Sequence, residues 1–276
     1  MKIAVLSGKG GTGKTFVAVN LAAAAGKAQY IDCDVEAPNG HLFFKPDIDR
    51  THVVNVKRPV VDNDKCIGCQ MCVEFCHFNA LAYVKKGVMV FEDICHSCGG
   101  CALVCPQNAI SERDERLGVC EEGHSDQVMV VTGKMDIGKI SGVPIIRQLN
   151  WYHDPLTIVD CPPGSACSVI ESLSDADYCV LVAEPTIFGV HNLKIVHELV
   201  KMMQKPYGVV LNKCSLEKNP AEAYCQAENI DIIGKIPFDP VLGKLGSEGK
   251  IAVRQLTYYK MLFSDLLKRV KWGGTA

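Results

Sequence analysis

The nine residues Ser7 to Thr15, SGKGGTGKT, leave the start of this chain few ways to fold. They follow the apolar run Ile3 to Leu6 and precede a helical pattern from Phe16 to Ala25. A strand that feeds a glycine-rich turn into a helix aims several backbone N–H groups and the positive end of the helix at one point, which suits a bound phosphate. The spacing G-x-x-x-x-G-K-T runs from Gly8 to Thr15, so Gly8, Gly10, Gly11, Thr12 and Gly13 are expected to form the cradle. Lys14 would bring a mobile charge to the outer phosphates, and Thr15 a hydroxyl to Mg²⁺. The alternative is a glycine-rich turn with no ligand, against which the strand and helix context speaks. Lys9, a second lysine inside the loop, goes beyond this spacing.

The second constraint is a repeat. Cys66, Cys69, Cys72 and Cys76 are spaced C-x₂-C-x₂-C-x₃-C, and the same spacing returns 29 residues later at Cys95, Cys98, Cys101 and Cys105, with Pro106 after it. Asn79-Ala80-Leu81 and Asn108-Ala109-Ile110 repeat the flank. This spacing resembles that of two-cluster bacterial-type ferredoxins, in which three close thiolates hold one [4Fe–4S] cluster and the distant fourth cysteine ligates the other. It assigns Cys66, Cys69, Cys72 and Cys105 to one cluster and Cys95, Cys98, Cys101 and Cys76 to the second. Zinc is the weaker alternative, since its sites need four ligands and usually come as separated pairs. His77 stands where a proline commonly follows the fourth cysteine, a change of local shape and not of ligand set. Between the halves, Leu81 to Val84 and Val88 to Phe91 around Lys85-Lys86-Gly87 read as a hairpin. So small a module builds little core, and its clusters would hold it together.

Elsewhere the pattern is of buried strands alternating with helices. Gln29 to Asp34 reads as a strand ending in two aspartates, and Asp34, at its carboxyl end, is a candidate for activating water or contacting Mg²⁺, unless it only starts the turn before Pro38. His52 to Val56 is strand-like. Ser111 to Asp126 is polar, with Gly118, Gly123 and Cys120, and reads as a return linker. Strands are expected at Gln127 to Thr132, Leu156 to Asp160, Tyr178 to Glu184, Tyr207 to Asn212 and Ile230 to Pro237, with helices at Gly142 to Leu149 and Phe188 to Met203. Asp160 closes an apolar strand, as a carboxylate that holds hydrated Mg²⁺ should. Pro162-Pro163-Gly164 then supplies a loop with a free backbone N–H at Gly164, expected to sense a γ-phosphate and to move as a switch when it leaves. Asn212 and Lys213 stand where a base could be read, with Phe238, Asp239 and Pro240 completing a pocket. Tyr258 to Trp272 is an amphipathic basic helix, which either lies on a membrane or, as more often happens, packs on its own sheet.

Composition narrows the class. At 276 residues and 48% hydrophobic content the chain can bury a large core, and a net charge of −2 disfavours nucleic acid as a partner. No apolar stretch approaches the ~20 residues that span a bilayer, and Met1 runs directly into the first strand, so a cytoplasmic location is expected. Fifteen cysteines in a chain of this length with a nucleotide motif read as thiolates held for metal in place of a disulfide scaffold.

Lys9 with Lys14, IDCD followed by PN, DCPPG and VLNK together resemble the MinD/ParA/Mrp branch of P-loop ATPases, and the eight-cysteine segment is similar to the ferredoxin insert carried by some MinD-superfamily members. The resemblance covers essentially the whole chain. It implies a mostly parallel, doubly wound α/β P-loop NTPase sheet in two parts, residues 1–58 and 113–276, interrupted by a small α+β bacterial ferredoxin-like domain at 59–112. It implies that Lys9 reaches across an ATP-dependent homodimer to the partner's phosphates, that Asp34 orients the attacking water, and that Asp160 holds Mg²⁺. Cys167, seven residues after Asp160, matches a cysteine that in the related nitrogenase iron protein ligates a cluster bridging the dimer; an ordinary helix-starting residue is the alternative. The C-terminal region offers Cys214 and Cys225 with no C-x-x-C pair, a departure from Mrp-type carriers. The expected activity is Mg²⁺-dependent ATP hydrolysis, slow and partner-dependent, coupled to electron transfer or iron–sulfur delivery toward a redox or iron–sulfur protein, with a membrane role unlikely. The rival is a spatial-organising or assembly ATPase that uses the clusters as sensor or structural element.

Overall fold

The computed structural model describes residues 1–85, 87–215 and 219–273. β1 (Lys2–Leu6) enters the glycine-rich loop and α1 (Lys14–Ala24) leaves it, followed by β2 (Ala28–Asp32), the short α2 (Gly40–Phe44) and the long β3 (Asp47–Val61). The cysteine segment contributes α3 (Met71–Phe75), the hairpin β4 (Leu81–Val84) and β5 (Gly87–Val90), a 3₁₀ turn at Glu92–Ile94 and α4 (Gly100–Leu103). Lys86, at the tip of the expected hairpin, lies outside the described residues. Then come β6 (Ile110–Ser125), β7 (Val128–Met135), α5 (Val143–Leu149), β8 (Thr157–Asp160), α6 (Cys167–Leu173), β9 (Tyr178–Ala183), α7 (Ile187–Met202), β10 (Tyr207–Cys214), α8 (Pro220–Ala227), β11 (Ile232–Pro237), α9 (Pro240–Ser247), α10 (Ala252–Gln255) and α11 (Thr257–Gly273).

Among the described residues nine strands form one sheet in the order β11-β10-β9-β1-β8-β2-β7-β6-β3. The pairs from β11 to β7 are parallel, and β6 lies antiparallel between β7 and β3. Parallel strands covered on both faces are apolar throughout, and β1, β8 and β9 are buried at every residue. Alternation still sorts the side chains: Ala4 and Leu6 join one core with Ile31, Ile145 and Leu181, while Ile3 and Val5 join the other with Tyr30 and Phe263. Helix α11 closes the second core through Tyr259, Phe263, Leu266, Leu267 and Val270, so its apolar face meets the protein's own sheet. The side chains of Lys271 and Trp272 lie outside the described set. Among the described residues no helix is long and apolar enough to cross a membrane.

One expectation fails here. The polar stretch Ser111 to Asp126 is not a linker but most of strand β6, paired to β3 from Asp47↔His124 to Val61↔Ile110. Its pairing to β7 begins only at Gly118, so the half nearer Ile110 forms a two-stranded ribbon with β3 alone. On its β6 side the ribbon is exposed on both faces from Ser111 to Asp114, so that stretch has no apolar stripe to show in the sequence; cross-strand pairs such as Lys57–Asp114 at 2.9 Å occupy its surface instead. The glycines taken as linker signals mark close approaches: a Cβ on Gly118 or Gly123 would sit 2.1 Å from the Lys134 carbonyl or 2.3 Å from that of Asp47. Cys120 likewise sits buried in the main core, where burial pushes its thiol up to about 12.

The ribbon carries the cysteine segment between Val61 and Ile110. Its core is small, formed by Cys72, Leu81, Val88, Cys101 and Ile110, and two of these five are cysteines of the repeat.

Candidate functional site

β1, β2 and β8 deliver their carboxyl ends to one crevice, because the register places Val5 and Asp32 on either side of Asp160. The loop after β1 opens there. Ser7 and Thr12 hydroxyls both donate to the Lys9 carbonyl, at 2.8 and 3.0 Å, which folds the loop while leaving Lys9, Gly10 and Gly11 exposed. Gly13 precedes α1 at φ 91°, and no side chain caps the helix, so its first N–H groups remain open to an anion. A Cβ at Gly13 would also stand 2.1 Å from the Asn212 amide. Thr15 lies half-buried in the first turn.

Lys14 is folded back into the crevice. Its ammonium donates to Asp160 Oδ1 at 2.5 Å, with 7% of the lysine side chain and none of the aspartate exposed. Burial alone would lower the Lys14 pKa, but the Asp160 charge outweighs it and holds it above the ordinary lysine value. The other Asp160 oxygen accepts from the Tyr30 hydroxyl at 2.9 Å, and burial, then Asp160, pushes that phenol far up. Tyr30 was not foreseen: an aromatic in the middle of an apolar strand carries no signal of a polar role.

The two aspartates after β2 divide the work. β2 ends at Asp32, two residues sooner than expected, and the fully buried Asp32 carboxylate accepts from the backbone N–H groups of Asp34, Asn39 and Gly40 at 3.1, 3.0 and 2.9 Å. It ties the loop down. Burial and then the neighbouring Asp160 charge push Asp32 up to about 7. Asp34 is half-buried beyond the strand end, and burial raises its pKa, in the direction a general base needs.

Two further expectations meet the geometry differently. The Gly164 N–H is not free; it donates to the Ser7 carbonyl at 2.9 Å, because the loop after β8 closes against the loop after β1. Asn212 donates from Nδ2 to the Thr12 carbonyl at 2.8 Å, and Lys213 from Nζ to the Gly11 carbonyl at 3.1 Å and to Glu184 at 2.6 Å. Both therefore brace the phosphate loop, and both also line a pocket of about 170 Å³ with Phe16, Phe238 and Asp239, directly behind Gly13.

The eight cysteines are brought to two cavities. One is lined by Cys66, Cys69, Cys72 and Cys105, the other by Cys76, Cys95, Cys98 and Cys101, the crossed grouping expected from the spacing. The backbone repeats with the sequence: Gly68 and Ser97 have φ 72° and 56°, Gln70 and Gly99 61° and 73°, Asn79 and Asn108 53° and 49°. These left-handed residues wrap each loop around its cavity. The Ala80 and Ala109 N–H groups donate to Cys76 and Cys105 Sγ at 3.4 and 3.3 Å, and Ser97 N–H to Cys95 Sγ at 3.4 Å, contacts suited to thiolate sulfur. Soft thiolates in fours, with N–H donors aimed at them, fit [4Fe–4S] clusters. Among the described residues no three His, Cys, Asp or Glu side chains stand together around the position of a single metal ion.

Of the other cysteines, Cys33, Cys161, Cys179, Cys214 and Cys225 are buried as Cys120 is, whereas Cys167 is exposed at the start of α6. Cys167 lines a cleft of about 530 Å³ together with Cys95, Cys98 and Phe78. The Phe78 ring stacks on His96 at 3.7 Å. The seven-residue path from Asp160 to Cys167 thus joins the nucleotide crevice to the second cysteine cavity.

The family described as the CobQ/CobB/MinD/ParA nucleotide binding domain matches residues 3–253. The iron-sulfur cluster carrier protein of Pyrococcus horikoshii is 26% identical over 261 residues, 86% of this chain and 74% of that protein. The pyruvate synthase subunit PorD of Thermotoga maritima is 38% identical over 93 residues, 32% of this chain and 93% of that subunit. In fold, the cell division ATPase MinD of Pyrococcus furiosus superposes with a TM-score of 0.62 at 21% identity, covering 99% of this chain and 98% of that one.

Proposed function

The chain belongs to the CobQ/CobB/MinD/ParA nucleotide-binding family, and from that premise we propose that it is a Mg²⁺-dependent ATPase whose nucleotide state governs two [4Fe–4S] clusters held in a ferredoxin-like insert, residues 59–112. ATP phosphates take the loop from Gly8 to Thr15, and the base takes the pocket behind Gly13 beside Asn212 and Lys213. Mg²⁺ takes Thr15 and Asp160, with Asp34 close enough in the chain's course to orient the water that attacks. Lys14 must leave Asp160 to reach phosphate, and Gly164 must leave the Ser7 carbonyl to do the same. Both exchanges trade a protein contact for one to ATP, so binding and hydrolysis would switch the loop that follows Asp160.

The clusters, when bound, supply one-electron chemistry. Cys66, Cys69, Cys72 and Cys105 hold one, and Cys76, Cys95, Cys98 and Cys101 the other. The observation that carries the coupling is the cleft that Cys167, at the end of the switch path, lines together with Cys95 and Cys98. Support for the iron–sulfur half comes from the two relatives, one called an iron-sulfur cluster carrier and one a subunit of pyruvate synthase, a name that fits a redox partner. The exposed Lys9 fits a role across a homodimer that forms on ATP.

Anaerobic purification with iron and sulfide counts, followed by EPR with and without Mg²⁺-ATP, tests this reading. The expected result is about eight irons and eight sulfides per chain, with a spectrum that responds to ATP in the native protein and not in Lys14→Ala. A full complement of iron with a spectrum indifferent to nucleotide would overturn the coupling.

A further inference from the structure

The two cysteine cavities differ in charge. Among the described residues lining the cavity of Cys66, Cys69, Cys72 and Cys105, none is charged. The other cavity is bordered by Lys57 and Glu112, which oppose one another, Lys57 being paired outward with Asp114. Behind it lies a cation of another kind. Arg58, on β3, is only 5% exposed, and its guanidinium donates through Nη1 to the backbone carbonyl of Cys95. Its Nε stands 3.3 Å from Glu115 Oε2 without hydrogen-bonding geometry, and both atoms are otherwise buried without a partner. Glu115 is shared. Lys139 donates to its other oxygen, and Arg113 lies 3.6 Å away while pairing with Glu92 at 2.6 Å. Counted with Lys57, Glu112 and Asp114, four cations meet four carboxylates here, and what sets Arg58 apart from the other three cations is burial: it is dry, its Nε has no acceptor, and it grips the backbone of a cysteine.

A positive charge held near an iron–sulfur cluster stabilises the added electron, and a buried one does so with little screening by salt. We infer that Arg58 sets the cluster of Cys76, Cys95, Cys98 and Cys101 at the higher reduction potential of the pair, so that the first electron entering the chain rests beside the cleft that Cys167 lines. This rests on the reading of the cysteine cavities as cluster sites. Arg58 is a positioning and tuning residue that would act through the Cys95 backbone and its charge. The consequence is a resting place: by whichever cluster the first electron enters, it settles on the side of the nucleotide switch.

The test is an EPR-monitored redox titration of the anaerobic full-length protein. Two midpoint potentials are expected, the higher one belonging to the signal whose line shape changes in Cys98→Ser. Arg58→Gln keeps a donor for the Cys95 carbonyl and removes the charge; it should lower that potential alone, by a tenfold loss of reduced cluster at fixed ambient potential, about 59 mV for one electron. Arg58→Lys should restore most of it. Glu115→Gln, which removes a negative charge and leaves Arg58 in place, should shift the same signal the opposite way, and it decides the matter if Arg58→Gln fails to fold. Equal movement of both signals, no movement, or like behaviour of the Gln and Lys variants would overturn the inference. Too little iron and sulfide for two clusters would overturn the cluster reading and this inference with it, whereas full iron with unmoved potentials would overturn this inference alone.

Discussion

Lys14→Met puts an uncharged side chain of similar length where a buried ammonium now sits on Asp160. Removing one partner of a buried pair costs about 3–5 kcal/mol, because the remaining charge loses its counter-ion without regaining water. Here the loss must depend on pH. Asp32 stands beside Asp160, and its folded pKa of about 7 lies above the ordinary 3.8. A carboxyl raised in this way contributes stability that is complete below the unfolded value and is lost as pH rises through the folded one. Lys14 is one of the charges that lower the Asp32 pKa, so its removal tightens the proton further. Each tenfold tightening returns about 1.4 kcal/mol to the variant at pH below the new value. Urea unfolding under anaerobic conditions at about pH 8.5 and about pH 5.5 measures this, with the larger loss expected at the higher pH and the smaller at the lower. An equal loss at both pH values, or a smaller one at the higher pH, would refute the account of two carboxylates sharing one lysine. The same pair explains why nucleotide binding can be a switch: Mg²⁺ and phosphate together compete for both of its ends.

Tyr30→Phe deletes the hydroxyl that donates to Asp160 and should cost about 1.5–3 kcal/mol, as for a hydrogen bond to a charged group, read by urea unfolding without nucleotide. Asn212→Ala releases the Thr12 carbonyl from its brace and should weaken ATP binding roughly fivefold to tenfold, by isothermal titration, in line with about 1 kcal/mol for one hydrogen bond. Cys105→Ser should alter the EPR signal shared with Cys66, Cys69 and Cys72, and Cys76→Ser the other; the reverse assignment would show uncrossed ligation.

Much of the site was legible because its parts are local. The phosphate loop, the strand that ends in Asp160 and the eight cysteines each lie within a few residues of chain, and local chemistry requires those residue types at that spacing. The failures share one cause. Ser111 to Asp126 looked like a linker because its first four residues are exposed on both faces and the buried ones that follow include Gly118, Glu122, Gly123 and Ser125, so no apolar period shows, and its pairing with β3 is written in a partner some sixty residues away. The role of Asp32 went unread because it ends the same run as Asp34, and only the depth of the crevice shows that its buried carboxylate ties the loop. The Gly164 N–H looked free because its acceptor, the Ser7 carbonyl, belongs to another strand's end.

Sequence alone determined that this chain holds a phosphate loop, two matched sets of four thiols and an alternation of buried strands and helices, since each of these is a short-range pattern enforced by backbone geometry or ligand count. Tertiary structure alone decided that Lys14 rests on Asp160 under Tyr30, that a charged ribbon carries the cysteines, and that Cys167 and Arg58 both line the cleft they share with Cys95 and Cys98. Those contacts join residues far apart in the chain, and the electrostatics of a buried charge depends on what surrounds it in space, which no local spacing records.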